Sequence, residues 1–282
     1  MCYAPLMQLR NVERGLTHAD IAFIHKVLGA DAPDEDELPQ LLAHEEHRAE
    51  LLGSQRLFEA LLPHDGSIAP VSPRLFFEAL LRHAVSELQG ARHTFERTGS
   101  VSGERVPVFD AAEVAAFAAQ PRILHYLAAM LSSFTKVHSH TERVWVRRGV
   151  VRKVRYSDLD VHSMLRLIHQ TEEHERLPLY RRTGDLCLLI LGVFPDFAGT
   201  AHRYPGSGAP RAQSSYRRRL STEEYETVAA EMYGHAARYD SGEAGAVHRT
   251  LSERIADAKK PLNFMAEHYL GFRRDRLFGM GQ

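Results

Sequence analysis

Residues 180–197, YRRTGDLCLLILGVFPDF, decide the fold class. The segment opens on Arg181, Arg182 and Asp185. It then runs through nine residues, Leu186 to Phe194, that are apolar except for Gly192. Pro195 ends the run, because proline lacks an amide hydrogen and its ring clashes with the preceding turn. The stretch is too short for a bilayer, which takes about 20 apolar residues. A helix that is apolar on every side has no face for water and must be surrounded by protein. The expected fold is therefore mainly α, a single multi-helix domain over 1–282 around a buried apolar helix at about 172–195. Arg181, Arg182 and Asp185 at its head are expected to form a paired polar network that fixes it.

Helix signals surround this core. Thr17 precedes a helix with Ile21, Ile24, Val27 and Leu28 on one face, and Gly29 stops it. The leucine stripe from Leu38 through Leu52 to Leu62 predicts one long helix. Ser72-Pro73 opens the next, with serine as N-cap and proline in the first turn, and it runs to about 97 before a Gly/Ser-rich loop over 98–107. Shorter helices are expected at 111–118 and 121–135, and another at 158–170 capped by Ser157. Ser221 and Glu224 form a capping box, S-x-x-E, that opens a helix to about 239. A last helix is expected from 244 to 270, with Pro261 kinking or splitting it. Residues 199–213 have the composition of a flexible loop separating this C-terminal helical pair, 221–270, from the rest.

The period changes once. Residues 142–156, ERVWVRRGVVRKVRY, alternate and are rich in valine, which predicts an inserted two-stranded β-hairpin. With Arg148-Gly149 as the turn, Val146 faces Val151 and Trp145 faces Arg152.

Composition excludes several classes. With 44% hydrophobic and 25% charged residues and a net charge of −1, the chain is neither disordered nor drawn as a whole to nucleic acid or membrane. The charge is uneven, however. Asp31 to Glu50 holds eight acids and one arginine, Arg143 to Arg155 six bases and no acid, and Thr200 to Leu220 five arginines and no acid. The two cysteines, Cys2 and Cys187, exclude a disulfide framework, and Cys187 in the apolar run is expected as a buried free thiol. The opening MCYAPLMQLRNVERG lacks the apolar stretch of a secretory signal, so a cytoplasmic protein is expected.

Motifs for common chemistries are missing. There is no G-x-x-x-x-G-K-[ST], no G-x-S-x-G and no C-x-x-C. The chain has 17 histidines but no Glu-x-x-His, the pair that di-iron bundles use. His44-Glu45-Glu46-His47 is not H-E-x-x-H and reads as a solvated acidic face. His64-Asp65 sits between Pro63 and Gly66, in a turn that would not orient a metal-binding dyad. His138 and His140 are better placed, because on an extended segment both point to one side. They define the alternative reading, a helical metal-dependent enzyme, oxidative or hydrolytic. Its ligands would come from His138, His140, His169 and His174 with Glu142 or Glu172, and a metal ion would be its cofactor.

The basic hairpin is the leading functional candidate. Its six bases cannot all be buried, since unpaired buried charge is prohibitive. Arg147, Arg148, Arg152 and Lys153, with Trp145 as an anchor, are the expected partner-binding residues. The partner would be an acidic protein surface or nucleic acid, and not a membrane. Two competing fates are internal pairing with the acidic stretch 31–50 and a charged edge that merely blocks strand association.

Overall fold

The apolar run folds as a helix over Leu177–Val193, and every residue of it from Arg182 onward is buried. The computed structural model describes residues 15–29, 33–97, 105–135, 139–147, 150–157, 159–199 and 220–278, without the side chains of 97, 139–147, 150–157 and 199. The chain is a mainly helical single domain. Helices α1 (His18–Leu28), α2 (Leu38–Leu41), α3 (Glu45–Leu52), α4 (Gln55–Leu61) and α5 (Pro73–Gly90) lead to an antiparallel pair, β1 (Thr94–Arg97) and β2 (Arg105–Val108). Then come α6 (Ala111–Ala118), α7 (Pro121–Ser133), the hairpin β3 (Ser139–Arg147) and β4 (Val150–Ser157), and α8 (Val161–Gln170). The core helix α9 (Leu177–Val193) is followed by α10 (Pro195–Gly199), α11 (Thr222–Tyr239), α12 (Gly242–Glu253) and α13 (Ile255–Met265). A π-helical turn (Ala266–Leu270) and α14 (Arg273–Leu277) complete the described chain.

Several boundaries follow from local chemistry. Thr17 and Asp20 cap α1 reciprocally: the Thr17 hydroxyl accepts from the Asp20 amide, and the Asp20 carboxylate accepts from the Thr17 amide. Gly29 then takes a positive φ of 60°. Ser72 caps α5, and Ser221 with Glu224 closes the expected box on α11. The core helix starts at Leu177, with Pro178 in its first turn, because residues 173–175 form a separate 3-10 turn.

Core packing runs through two groups of helices. α9 lies against α11, α13 and α8, while α5 lies against α6, α7 and also α13, so α13 joins the groups. Neighbouring helices approach α9 closely at its glycines. A Cβ on Gly184 would sit 3.1 Å from the Tyr233 ring of α11, and one on Gly192 would sit 2.5 Å from Cβ of Leu262 on α13. The last carbonyls of a helix have no partner within it and must find one when buried. Here Asn263 Nδ2 donates to the carbonyls of Leu191 and Gly192, both at 2.7 Å, and Arg274 Nη1 donates to that of Val193 at 3.0 Å. Lys260 of α13, also buried, pairs with Glu96 and Asp110 and so ties the β1–β2 sheet to the same helix. Among the described residues no helix is long and apolar enough to cross a membrane.

Four expectations are corrected. The single helix over 38–62 is three short ones, because His44 leaves the helical conformation and Ser54 starts a new helix by accepting from the Leu57 amide. The helix from Ser72 ends at Gly90, β1 takes the residues expected as its last turn, and β2 takes the end of the region expected as a loop, with Thr94 opposite Val108 and Arg97 opposite Arg105. α8 is capped by Asp160, whose carboxylate accepts from the His162 amide, and not by Ser157. The break in the last helix falls at Arg254, where φ is −127°, and Pro261 stays inside α13. Most of the expected loop 199–213 and the arginines at 211–219 lie outside the described residues.

The two glycine environments make opposite expectations. Gly192→Ala forces a methyl into Leu262 and should cost about 1–3 kcal/mol by overpacking, although alanine favours a helix by up to about 1 kcal/mol over glycine. Gly90, with nothing within 4 Å of its would-be Cβ, has no such obstacle. Gly90→Ala should be neutral or stabilising by up to about 1 kcal/mol. Urea unfolding of both variants checks the signs; a stabilised Gly192→Ala protein would contradict the packing.

Candidate functional site

The hairpin is built by alternation with one irregularity. Ser139 pairs with Ser157, and the register runs through Arg143 opposite Lys153 and Trp145 opposite Val151 to Arg147 opposite Val150. The register shifts between Trp145 and Arg147, as an extra residue in one strand requires. This bulge corrects the expected pairs: Trp145, not Val146, lies opposite Val151, and Val144, not Trp145, lies opposite Arg152.

The shift decides which residues share a face, because opposed residues lie on one side and neighbours alternate. One face takes Thr141, Arg143, Trp145, Val151, Lys153 and Arg155. It holds three bases, the single tryptophan of the chain and no acid. The other face takes His140, Glu142, Val144, Arg147, Val150, Arg152, Val154 and Tyr156, where an acid accompanies two bases. The expected partner-binding set is thereby divided. Lys153 and Trp145 fall on the first face and Arg147 and Arg152 on the second, while Arg148 lies outside the described residues. Arg143 and Arg155 join Trp145. Alternation alone could not reveal this, since a bulge leaves no mark in a run of valines and arginines. Outside itself, the hairpin lies closest to α8, which β4 leads into.

The acidic stretch has its own engagement. Glu45 and Arg48 of α3 turn toward α5, where Glu78 is fully buried. Arg48 grips Glu78 with two bonds, Nε to Oε1 at 2.6 Å and Nη2 to Oε2 at 2.7 Å. Arg82 reaches Glu78 Oε1 at 3.0 Å and Glu45 Oε1 at 2.8 Å, and Arg74 lies 3.5 Å from Glu78 Oε2. His125 Nε2 sits 3.2 Å from Glu45 Oε2 and 3.5 Å from Glu78 Oε1. Burial alone would raise the Glu78 pKa. Hydrogen bonds from Arg48 and His125 and the charges of Arg48 and Arg82 overcome it and hold the carboxyl far below the usual range. The solvated face expected around His44 to His47 therefore holds for exposed Glu46 and not for Glu45.

A second buried carboxylate, Asp185, stands at the head of the apolar run. The hydroxyls of Tyr126 and Tyr233 both donate to its Oδ1, at 2.6 and 2.9 Å. Burial, and then the Asp185 charge, pushes both phenols well above their usual pKa, so they remain protonated donors. His248, 1% exposed, stacks on Tyr233 with ring centres 6.0 Å apart. Arg182 donates to Ser133 Oγ at 2.7 Å and lies 3.5 Å over the Phe134 ring, while Arg181 lies over Tyr126. The three residues expected as a network are all engaged, Asp185 by the two tyrosines. Cys187 is the expected buried thiol, and burial raises its pKa strongly.

The metal alternative is brought together only in part. Glu172 and His174 approach to 3.6 Å with side chains 81% and 74% exposed, and His169 is exposed on α8. His138 lies outside the described residues, as does the side chain of His140. Among the described residues no group of three or more His, Cys, Asp and Glu is arranged to hold a metal ion. Comparison of the chain with protein-family models, with curated proteins and with solved structures finds no match.

Glu78 makes a pH-dependent expectation. Glu78→Gln takes the shared negative charge from three buried guanidiniums and should cost about 3–5 kcal/mol at neutral pH. Because the folded pKa is depressed, this contribution is present above the ordinary glutamate value of 4.5 and fades as the pH falls below it, where the unfolded chain takes the proton first. Urea unfolding from pH 7 to pH 3 should show the gap between wild type and variant narrowing at the acid end. A gap that is constant across that range would contradict the assignment.

Proposed function

We propose that this chain is a non-catalytic cytoplasmic interaction or regulatory module that docks an acidic partner on one face of the β3–β4 hairpin. The observation that carries the reading is the register, which places Arg143, Lys153 and Arg155 beside Trp145 on a face without an acid. The engagement of Glu45 and Arg48 with α5 also favours it, because that part of the acidic stretch is committed elsewhere. Docking would be driven by charge, with the tryptophan as an apolar anchor that excludes water. An acidic protein surface and a nucleic acid backbone both fit this chemistry, and experiment separates them.

Trp145 is the only tryptophan, so intrinsic fluorescence reports on the hairpin directly. The full chain is titrated with a single-stranded oligonucleotide and, separately, with a poly-glutamate peptide. One of the two should change the fluorescence saturably. For an oligonucleotide, three neutralised phosphates give a slope of log K against log salt of about −2. Replacing Arg143, Lys153 and Arg155 together with glutamine should weaken binding at least about tenfold and leave stability within about 0.5 kcal/mol. The Arg147→Gln, Arg152→Gln double variant should weaken it less. Loss of stability in the triple variant, with no saturable change from either ligand, would make the hairpin a structural element and end this reading.

A further inference from the structure

The cluster around Glu78 buries more positive than negative charge. Arg48, Arg74 and Arg82 are each at most 8% exposed. The carboxylates that meet them are Glu78, fully buried, and Glu45, whose side chain is 34% exposed. Among the described residues, three guanidiniums thus meet two carboxylates, which leaves one positive charge unmatched. Arg74 registers the imbalance. Its Nη1 donates to the His125 carbonyl at 2.7 Å, and its buried Nε faces Glu78 Oε2 only at the long distance of 3.5 Å, beyond good hydrogen-bond geometry. Burial, and then the charges of Arg48 and Arg82, pulls its pKa below the usual arginine value against the opposing influence of Glu78. A buried surplus of this kind is strongly unfavourable unless an anion meets it.

The cluster opens to solvent at Glu45 and His125, whose side chains are 34% and 32% exposed. Arg82 Nη2 lies 2.8 Å from Glu45 Oε1 and 3.3 Å from His125 Nε2. Glu45 Oε2 lies 3.2 Å from the same imidazole nitrogen. A carboxylate at the mouth thus rests on an arginine–histidine pair, and it belongs to the first residue of the two-turn helix α3. We propose that the Arg82–His125 pair is a binding position for a small phosphate-type oxyanion, which Glu45 occupies from within the chain until an external anion displaces it. A phosphate carries more than one negative charge near neutral pH, so it answers the surplus that the single charge of Glu45 leaves. A guanidinium edge presents its donors in the geometry that phosphate oxygens accept. The site is separate from the hairpin and does not depend on the function proposed for it.

The test uses the full chain, with inorganic phosphate and glycerol phosphate as probes and sodium chloride holding ionic strength constant. The melting temperature should rise saturably with phosphate, because a ligand of the folded state stabilises it. Glu45→Gln removes the internal competitor, so the phosphate midpoint should fall about tenfold, the order expected when one charged contact no longer competes. Phosphorus NMR line widths at low temperature give the same comparison should the variant melt early. Tighter binding of the monoester points to a phosphorylated metabolite, and equal binding points to free phosphate. The proposal is overturned if wild type and Glu45→Gln share one midpoint, or if neither responds to phosphate beyond the matched chloride control.

Discussion

The fold depends on one constraint, the burial of α9 along the whole of its second half. From Arg182 to Val193 no residue of this helix reaches solvent appreciably, so each backbone and side-chain group must be met by protein. Its C-terminal carbonyls are the demanding part, and the chain answers with Asn263 and Arg274 from the far end of the sequence. The same helix carries glycines where α11 and α13 approach closely. Because α13 also packs on α5 and α6, the contact that closes the end of α9 draws together the two helical groups.

Glu78 and Asp185, two of the buried carboxylates, are treated differently. Asp185 is held by two hydroxyls that burial, and then its own charge, keeps protonated. That arrangement adds no cation to the core. Glu78 is instead surrounded by guanidiniums that outnumber the carboxylates facing them, and one edge of that group reaches solvent through Glu45 and His125. The tyrosine-held group has the properties of a structural fixture. The open group, with Glu45 and His125 at its mouth, is the one for which anion binding is proposed. The hairpin adds a third charge arrangement, set by a bulge that gathers bases and a tryptophan on one face.

Much of this was legible in the sequence. The buried helix, the caps at Thr17, Ser72 and Ser221, the free thiol at Cys187 and the existence of the hairpin all follow from short-range rules. The division of 38–62 into three helices was hidden because leucine spacing continues across Gly53 and Ser54, while the local hydrogen bond to Ser54 resets the chain. The Glu78 cluster did leave a signal that was missed. Arg74, Glu78 and Arg82 follow one another at i, i+4 on a helix whose neighbouring positions, Leu75 to Phe77 and Ala79 to Leu81, are apolar all round. Charges embedded in such a run must be buried and mutually paired. The parts supplied by distant elements, Arg48 and His125 for Glu78 and both tyrosines for Asp185, depend on tertiary packing and have no local signature.

The helical core is packed through α9 and α13, while the β3–β4 hairpin, the proposed docking element, meets the rest of the chain mainly at α8. Native-state hydrogen exchange of the full chain tests this most directly. The account expects amides from Leu186 to Val193 to exchange only through global unfolding. It expects those of β3 and β4 to exchange through openings of much lower free energy, as befits strands that pair only with each other among the described residues. Hairpin amides that share the free energy of the core helix would show the hairpin to be part of the core, and would contradict the account.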